Sequence, residues 1–130
     1  MFGNIYLFKL YAMPQIINDG GELIRINLSN NMIEYSTTGG RAWFRRFLGT
    51  SNVGVFIDLI VCSNEIIAST TKGIYYSRDR GRTWFARSKV GSGCGEFASL
   101  QLNGAELLGI TAKGLFFSRD QGRTWFKRGN

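Results

Sequence analysis

Residues Lys72 to Phe85 read KGIYYSRDRGRTWF, and residues Lys113 to Phe126 read KGLFFSRDQGRTWF, the same segment displaced by 41 positions. Forty-one positions further back, Ser36 to Phe44 read STTGGRAWF, a worn copy that keeps Ser36, Gly40, Arg41, Trp43 and Phe44. Thr38 stands there in place of Asp79 and Asp120, and Ala42 in place of Thr83 and Thr124. A fixed period of this length is the mark of a repeat architecture in which each unit buries a face against its neighbours.

The residues upstream of each segment correspond as well. Phe56 to Thr71, FIDLIVCSNEIIASTT, lies over Phe97 to Ala112, FASLQLNGAELLGITA, each holding two apolar stretches divided by a polar turn. Each repeat therefore predicts four strands. In the second they fall near Val55 to Val61, Glu65 to Thr70, Gly73 to Ser77 and Thr83 to Ser88. In the third they fall near Phe97 to Leu102, Glu106 to Thr111, Gly114 to Ser118 and Thr124 to Arg128. The first is irregular, with strands expected near Ile5 to Tyr11, Glu22 to Leu28, Met32 to Ser36 and Ala42 to Leu48. The glycine-rich stretches Gly49 to Gly54 and Gly91 to Gly95 read as connections between repeats.

Composition agrees with this class. Seventeen glycines against one proline, with many β-branched and aromatic residues, favour short strands joined by glycine turns. At 44% apolar and 19% charged, the 130-residue chain can bury enough surface to fold. It has no histidine, which removes the usual general base, the histidine-dependent nucleophile arrangements and imidazole-ligated zinc. Cys62 and Cys94 are too few and too far apart for a disulfide framework or metal cluster, and read as a buried thiol and a loop thiol. GSGCG, residues 91 to 95, lacks the Gly-Lys-Ser/Thr ending of a phosphate loop. No cofactor is expected. Met1 to Pro14 lacks a basic start, and Lys9 interrupts its apolar stretch. Neither a secretory signal nor a membrane span is read there, so a soluble protein, cytoplasmic or part of a virus particle, is the expectation.

The segments Ser77 to Trp84 and Ser118 to Trp125 match S-x-D-x-G-x-T-W, the Asp-box (BNR repeat) of sialidase-type β-propellers. With the preceding glycine and short apolar strand, they also resemble the repeats of the photosystem II assembly factor family. The resemblance spans essentially the whole chain. It implies three four-stranded antiparallel propeller blades, approximately 1–48, 55–88 and 96–130, in one half-propeller domain. Propellers close with about four to eight blades, so homodimerisation to a six-bladed ring is expected, with docking onto a larger assembly as the alternative.

The box has its own physical logic. Gly40, Gly81 and Gly122 supply the positive φ of a tight hairpin. Asp79 and Asp120 accept backbone N–H groups, while Ser36, Ser77, Ser118, Thr83 and Thr124 complete the local hydrogen bonding. Trp43, Trp84 and Trp125 pin the returning strand, each burying roughly 200 Å² of ring. These residues read as structural, and the loss of Asp at Thr38 is expected to loosen the first turn. Catalysis is not expected. Sialidases use an arginine triad, a Tyr activated by Glu, and an Asp acid; Ile24-Arg25-Ile26-Asn27 lacks the aromatic and the proline of their Phe/Tyr-Arg-Ile-Pro motif, and no further triad arginine can be assigned.

The formal charge is +7, spread as +2 over 1–47, +2 over 48–88 and +3 over 89–130. The excess clusters in and after the boxes: Arg41, Arg45 and Arg46; Arg78, Arg80, Arg82 and Arg87; Arg119, Arg123, Lys127 and Arg128. Equivalent positions on repeated blades fall on a ring, so a basic band for an anionic partner is predicted, with Arg41, Arg78, Arg80, Arg82, Arg119 and Arg123 as its candidate contacts. No motif for reading bases is present. The leading expectation is a non-catalytic scaffold that binds protein, a structural component of a viral or phage particle included. A propeller lectin binding glycans, anionic ones among them, is the alternative; repeated exposed aromatics between blades would distinguish it, but the repeated aromatics here, Phe44, Phe85 and Phe126 included, lie beside the box and read as core.

Overall fold

In the computed structural model, which describes residues 13–89 and 93–129, the repeat folds into three successive four-stranded sheets. The first sheet holds β1 (Ile17–Asp19), β2 (Glu22–Asn27), β3 (Met32–Ser36) and β4 (Phe44–Phe47). The second holds β5 (Phe56–Cys62), β6 (Glu65–Thr70), β7 (Gly73–Ser77) and β8 (Phe85–Lys89). The third holds β9 (Ser99–Asn103), β10 (Glu106–Thr111), β11 (Gly114–Ser118) and β12 (Phe126–Lys127). Neighbouring strands are antiparallel and follow chain order, so every sheet is a meander. The class is all-β, and among the described residues no helix is present to cross a membrane.

Two expectations about strand bounds are corrected, and a third falls outside the described residues. The predicted strand Ile5 to Tyr11 lies outside the described residues, and the first strand of sheet one is Ile17–Asp19. The fourth strands start at Phe44, Phe85 and Phe126 instead of Ala42, Thr83 and Thr124, because the turn preceding each strand holds those residues. The strand placed at Phe97 begins at Ser99.

The sheets stack through side chains that alternate between two faces. Sheet two lies between the other two, and every residue of β6 is buried. Ile66 and Ala68 join Ile24, Ile26 and Ile33 of sheet one in one apolar core, with Trp84 and Phe56 closing it. Ile67, on the other face of β6, joins Ile60, Ile74, Phe97, Leu100, Leu107 and Phe116 in a second core toward sheet three. In β10 the outward Ile110 is 50% exposed, because no further sheet covers it among the described residues. The first strands converge, β5 touching both β1 and β9.

Asp58 ties this convergence together. Its buried carboxylate accepts the N–H groups of Leu59, of Leu100 in sheet three at 2.8 Å, and of Gln15 before sheet one at 2.9 Å. The Gln15 side-chain amide also donates to Asp58 at 3.1 Å and to the Leu100 carbonyl at 2.7 Å. A buried carboxylate is tolerable only when hydrogen-bonded in this way.

The double-sided burial of β6 sets the first expectation. Ile67→Ala should lower unfolding free energy by about 2–5 kcal/mol through the cavity it leaves, while Leu28→Ala on the surface should stay within about 0.5 kcal/mol. Urea melts of the two variants check this.

Candidate functional site: repeated turns and an arginine-bearing face

The box segments form one turn three times. Arg80 and Gly81 have φ of 62° and 93°, Gln121 and Gly122 have 63° and 92°, and Gly39 and Gly40 have 70° and 95°. Two consecutive left-handed residues are the requirement of a type I′ hairpin turn. Glycine therefore stands at the second position, and the first is occupied by a non-glycine residue in two copies, which the sequence reading did not anticipate.

The hydroxyl of Ser77 accepts the Gly81 N–H at 2.8 Å and donates to Asp79 at 2.8 Å. Asp79 accepts the Thr83 N–H at 2.8 Å and the Thr83 hydroxyl. Ser118, Asp120, Gly122 and Thr124 repeat these bonds. Burial works to raise the Asp79 and Asp120 pKa values, but the bonds from Thr83 and Ser77, and from Thr124 and Ser118, outweigh it and hold both carboxyls below their ordinary value. In the worn copy the Thr38 hydroxyl accepts the Ala42 N–H at 2.9 Å, and Ser36 accepts the Gly40 N–H at 2.9 Å. The first turn thus keeps both of these backbone bonds and lacks the second oxygen's bond, since Ala42 has no hydroxyl to offer.

Each tryptophan donates its ring N–H to the carbonyl of its own turn glycine: Trp43 to Gly40, Trp84 to Gly81 and Trp125 to Gly122. Trp84 is buried, whereas Trp43 and Trp125 are half-buried, Trp43 beneath the Arg25 guanidinium at 4.1 Å. The phenylalanine that follows each tryptophan does not belong to the core: Phe44, Phe85 and Phe126 are 53%, 55% and 59% exposed. This corrects the reading of the box-flanking aromatics as core. Each packs at 5.7–5.9 Å on one aromatic ring of the adjoining strand, Tyr35, Tyr76 or Phe117.

The arginines divide into two populations. Arg41, Arg78, Arg80, Arg82, Arg119 and Arg123 are exposed on the turns. Arg82 and Arg123 each donate to a turn carbonyl, of Asp79 and Asp120, at 2.9 Å, and Arg80 lies against Gly20 of sheet one. Arg78 and Arg119 pair with Glu65 and Glu106. Arg119 and Arg123 also flank a cavity of about 320 Å³ between sheets two and three, lined by Cys62, Ser63, Leu102 and Asp120 as well.

Arg46 and Arg87 do not join the predicted band. Their side chains are only 4% and 2% exposed. Each stacks at 3.8 Å over a tyrosine, Tyr35 or Tyr76, and forms a two-pronged pair with a glutamate, Glu22 or Glu65. The cause is a β-bulge. Ile74 pairs with Ser88 and Tyr75 with Ala86, leaving Arg87 as the extra residue, and Arg46 occupies the same place between the Ile33–Phe47 and Glu34–Arg45 pairs. Sequence reading missed this set. The 41-residue spacing of Arg46, Arg87 and Arg128 and of Tyr35, Tyr76 and Phe117 was its only signal.

The Arg87 fork, followed against burial by the Arg78 bond, brings Glu65 down to about pKa 2. Bonds from Arg46 and Arg128 likewise lower Glu22 and Glu106. Burial pushes both thiols up: Cys62 is half-buried at the end of β5, while Cys94 sits in a loop yet is buried against sheet three. Among the described residues no group of three His, Cys, Asp or Glu side chains is placed to hold a metal.

No protein-family model and no curated protein matches the sequence. Among solved structures the chain is similar to YCF48 bound to D1 peptide, with a TM-score of 0.65 and 18% identity over 87% of this chain and 40% of that one. It is also similar to YCF48 from Cyanidioschyzon merolae, with a TM-score of 0.60 and 18% identity over 86% of this chain and 42% of that one. The fold is that of a β-propeller. Each of the three four-stranded sheets has the form of a propeller blade and is termed one, and the chain spans about two fifths of the length of these neighbours.

Two expectations follow. Asp79→Ala should lower stability by about 1–3 kcal/mol by leaving turn N–H groups unpaired, and Thr38→Ala by less, both read from thermal melts. Glu65 has a folded pKa of about 2 against an ordinary 4.5, so its contribution is complete above about pH 5 and is lost as pH falls through 4.5 toward 2. Melting temperature should fall across that window, and Glu65→Gln should flatten the fall.

Proposed function

We propose that the chain is a non-catalytic interaction module of a larger assembly, a viral or phage particle included, and that it takes an acidic protein segment on the face carrying Arg41, Arg78, Arg80, Arg82, Arg119 and Arg123. The observation that carries this reading is the display of exposed guanidinium groups on equivalent turns of successive blades, beside the Arg119–Arg123 cavity. A neighbour of the same fold is bound to a peptide, which supports a protein ligand. The commitments of the carboxylates support a non-catalytic role: Glu22, Glu34, Glu65 and Glu106 pair with arginines, Asp79 and Asp120 close turns, and Asp58 joins the blades.

One observation favours a second reading, the lectin. Phe85 and Phe126 are exposed aromatics at equivalent grooves against the connection that precedes each blade, each beside an arginine, a threonine and a tryptophan: Arg82, Thr83 and Trp84 in one, Arg123, Thr124 and Trp125 in the other. A ring flanked by hydrogen-bonding groups is suited to the face of a sugar.

Fluorescence anisotropy with a polyglutamate peptide at low and physiological salt tests the first reading. Affinity should drop steeply with salt, and the Arg78→Glu, Arg80→Glu, Arg119→Glu variant should lose binding while its melting temperature stays within a few degrees. Salt-insensitive binding on a glycan array, abolished by Phe85→Ala with Phe126→Ala and untouched by the arginine changes, would establish the lectin instead.

A further inference from the structure

The two junctions between blades are made from one set of parts. At the first, the bulged Arg46 donates to the Arg80 carbonyl of the next blade's turn at 3.2 Å. At the second, Arg87 donates to the Gln121 carbonyl, also at 3.2 Å. In both, the turn glycine seats on an isoleucine of the preceding blade: a Cβ added to Gly81 would lie 3.4 Å from Ile33, and one added to Gly122 would lie 3.2 Å from Ile74. A junction therefore consists of a sending half, which is glutamate, bulged arginine, aromatic ring and aliphatic seat, and a receiving half, which is a left-handed turn with a carbonyl and a glycine.

The third blade holds the corresponding glutamate, arginine, ring and aliphatic residue, with no turn against them among the described residues. Arg128 stacks over Phe117 at 4.0 Å and is held by Glu106 at 2.8 Å. Its side chain is 37% exposed, where its two counterparts are nearly sealed. Leu115 stands 41 positions beyond Ile74, half-buried rather than covered, and Ile110 is half exposed beside it. The first blade holds the matching receiving half. Gly39 and Gly40 make the same left-handed turn, with the Gly39 carbonyl at the position of the Arg80 and Gln121 carbonyls.

Extending the assembly reading above, we propose that a second copy of this chain docks head to tail, the Gly39–Gly40 turn of one copy seating on Leu115 and Arg128 of the other. The occupant is identified by continuity: the open faces of blades one and three are the two halves of a junction the chain already makes twice. One departure sets its strength. The cross-strand pair that is Ala68–Tyr75 in blade two and Gly109–Phe116 in blade three is Arg25–Glu34 in blade one, an ion pair at 2.9 Å. Pressing that pair against Leu115 and Ile110 desolvates charge that the inner junctions do not carry. The junction is consequently weaker than its internal counterparts, and association is reversible and concentration-dependent.

Sedimentation velocity from about 1 to 100 μM, without any ligand, tests this. The wild type should shift from monomer to dimer or larger, Arg128→Glu should weaken association at least about tenfold, and Arg25→Ala with Glu34→Tyr, which restores the pair of blade two, should tighten it at least about tenfold. Circular dichroism verifies that each variant is folded, and the tightening variant keeps the test decisive should Arg128→Glu unfold. A wild type and an Arg25→Ala, Glu34→Tyr variant both monomeric throughout would overturn the proposal, as would association indifferent to both changes. Because no acidic peptide takes part, loss of self-association with peptide binding intact overturns this inference alone, and the reverse result overturns only the proposed function.

Discussion

A buried arginine between blades is the interaction on which the rest of the structure depends. A guanidinium cannot be taken out of water without a partner for its charge and acceptors for its donors, since the unpaired cost runs to several kcal/mol. Arg87 meets that demand from three sources: the Glu65 carboxylate of its own blade, the face of Tyr76, and the Gln121 carbonyl of the next blade. The last of these is satisfied only when the next blade's turn stands at one height and one angle. The ion pair thereby selects a geometry for the stack, while the apolar cores on either side of β6 supply most of the burial.

The bulge is what makes the arginine available. In a regular ladder, alternation would fix which face the side chain joins, and a single inserted residue re-aims it without breaking the sheet. Short outer strands that begin with an exposed phenylalanine and carry Arg or Lys also suit an edge that must not pair with a stranger. Junction and edge protection are thus built into the same four or five residues of each repeat.

The surface open to partners is what the junctions leave over. Turn geometry consumes Ser77, Asp79, Gly81, Thr83 and the Trp84 N–H internally, and the stack consumes Glu65 and Arg87. Arg78, Arg80 and Arg82 remain exposed on the turn, Arg82 also donating to the Asp79 carbonyl. The outward faces of blades one and three differ: blade three presents apolar side chains and a half-exposed arginine, and blade one an internally neutralised pair over Trp43.

The sequence by itself determined the strands, their pairing order and the turn chemistry, because all three are local: a 41-residue period, a glycine tolerating positive φ, and hydroxyl and carboxylate groups within a few residues of the N–H groups they accept. It also led to a misplacement of Arg46 and Arg87 among the exposed charges, concealed the hub at Asp58, and suggested that Phe44, Phe85 and Phe126 were core. Only the tertiary structure decided these, since each depends on which face of a strand meets another sheet. A bulge of one residue reverses that face, and the bonds that Arg46, Arg87, Asp58 and Gln15 make between sheets join residues 34 to 85 positions apart.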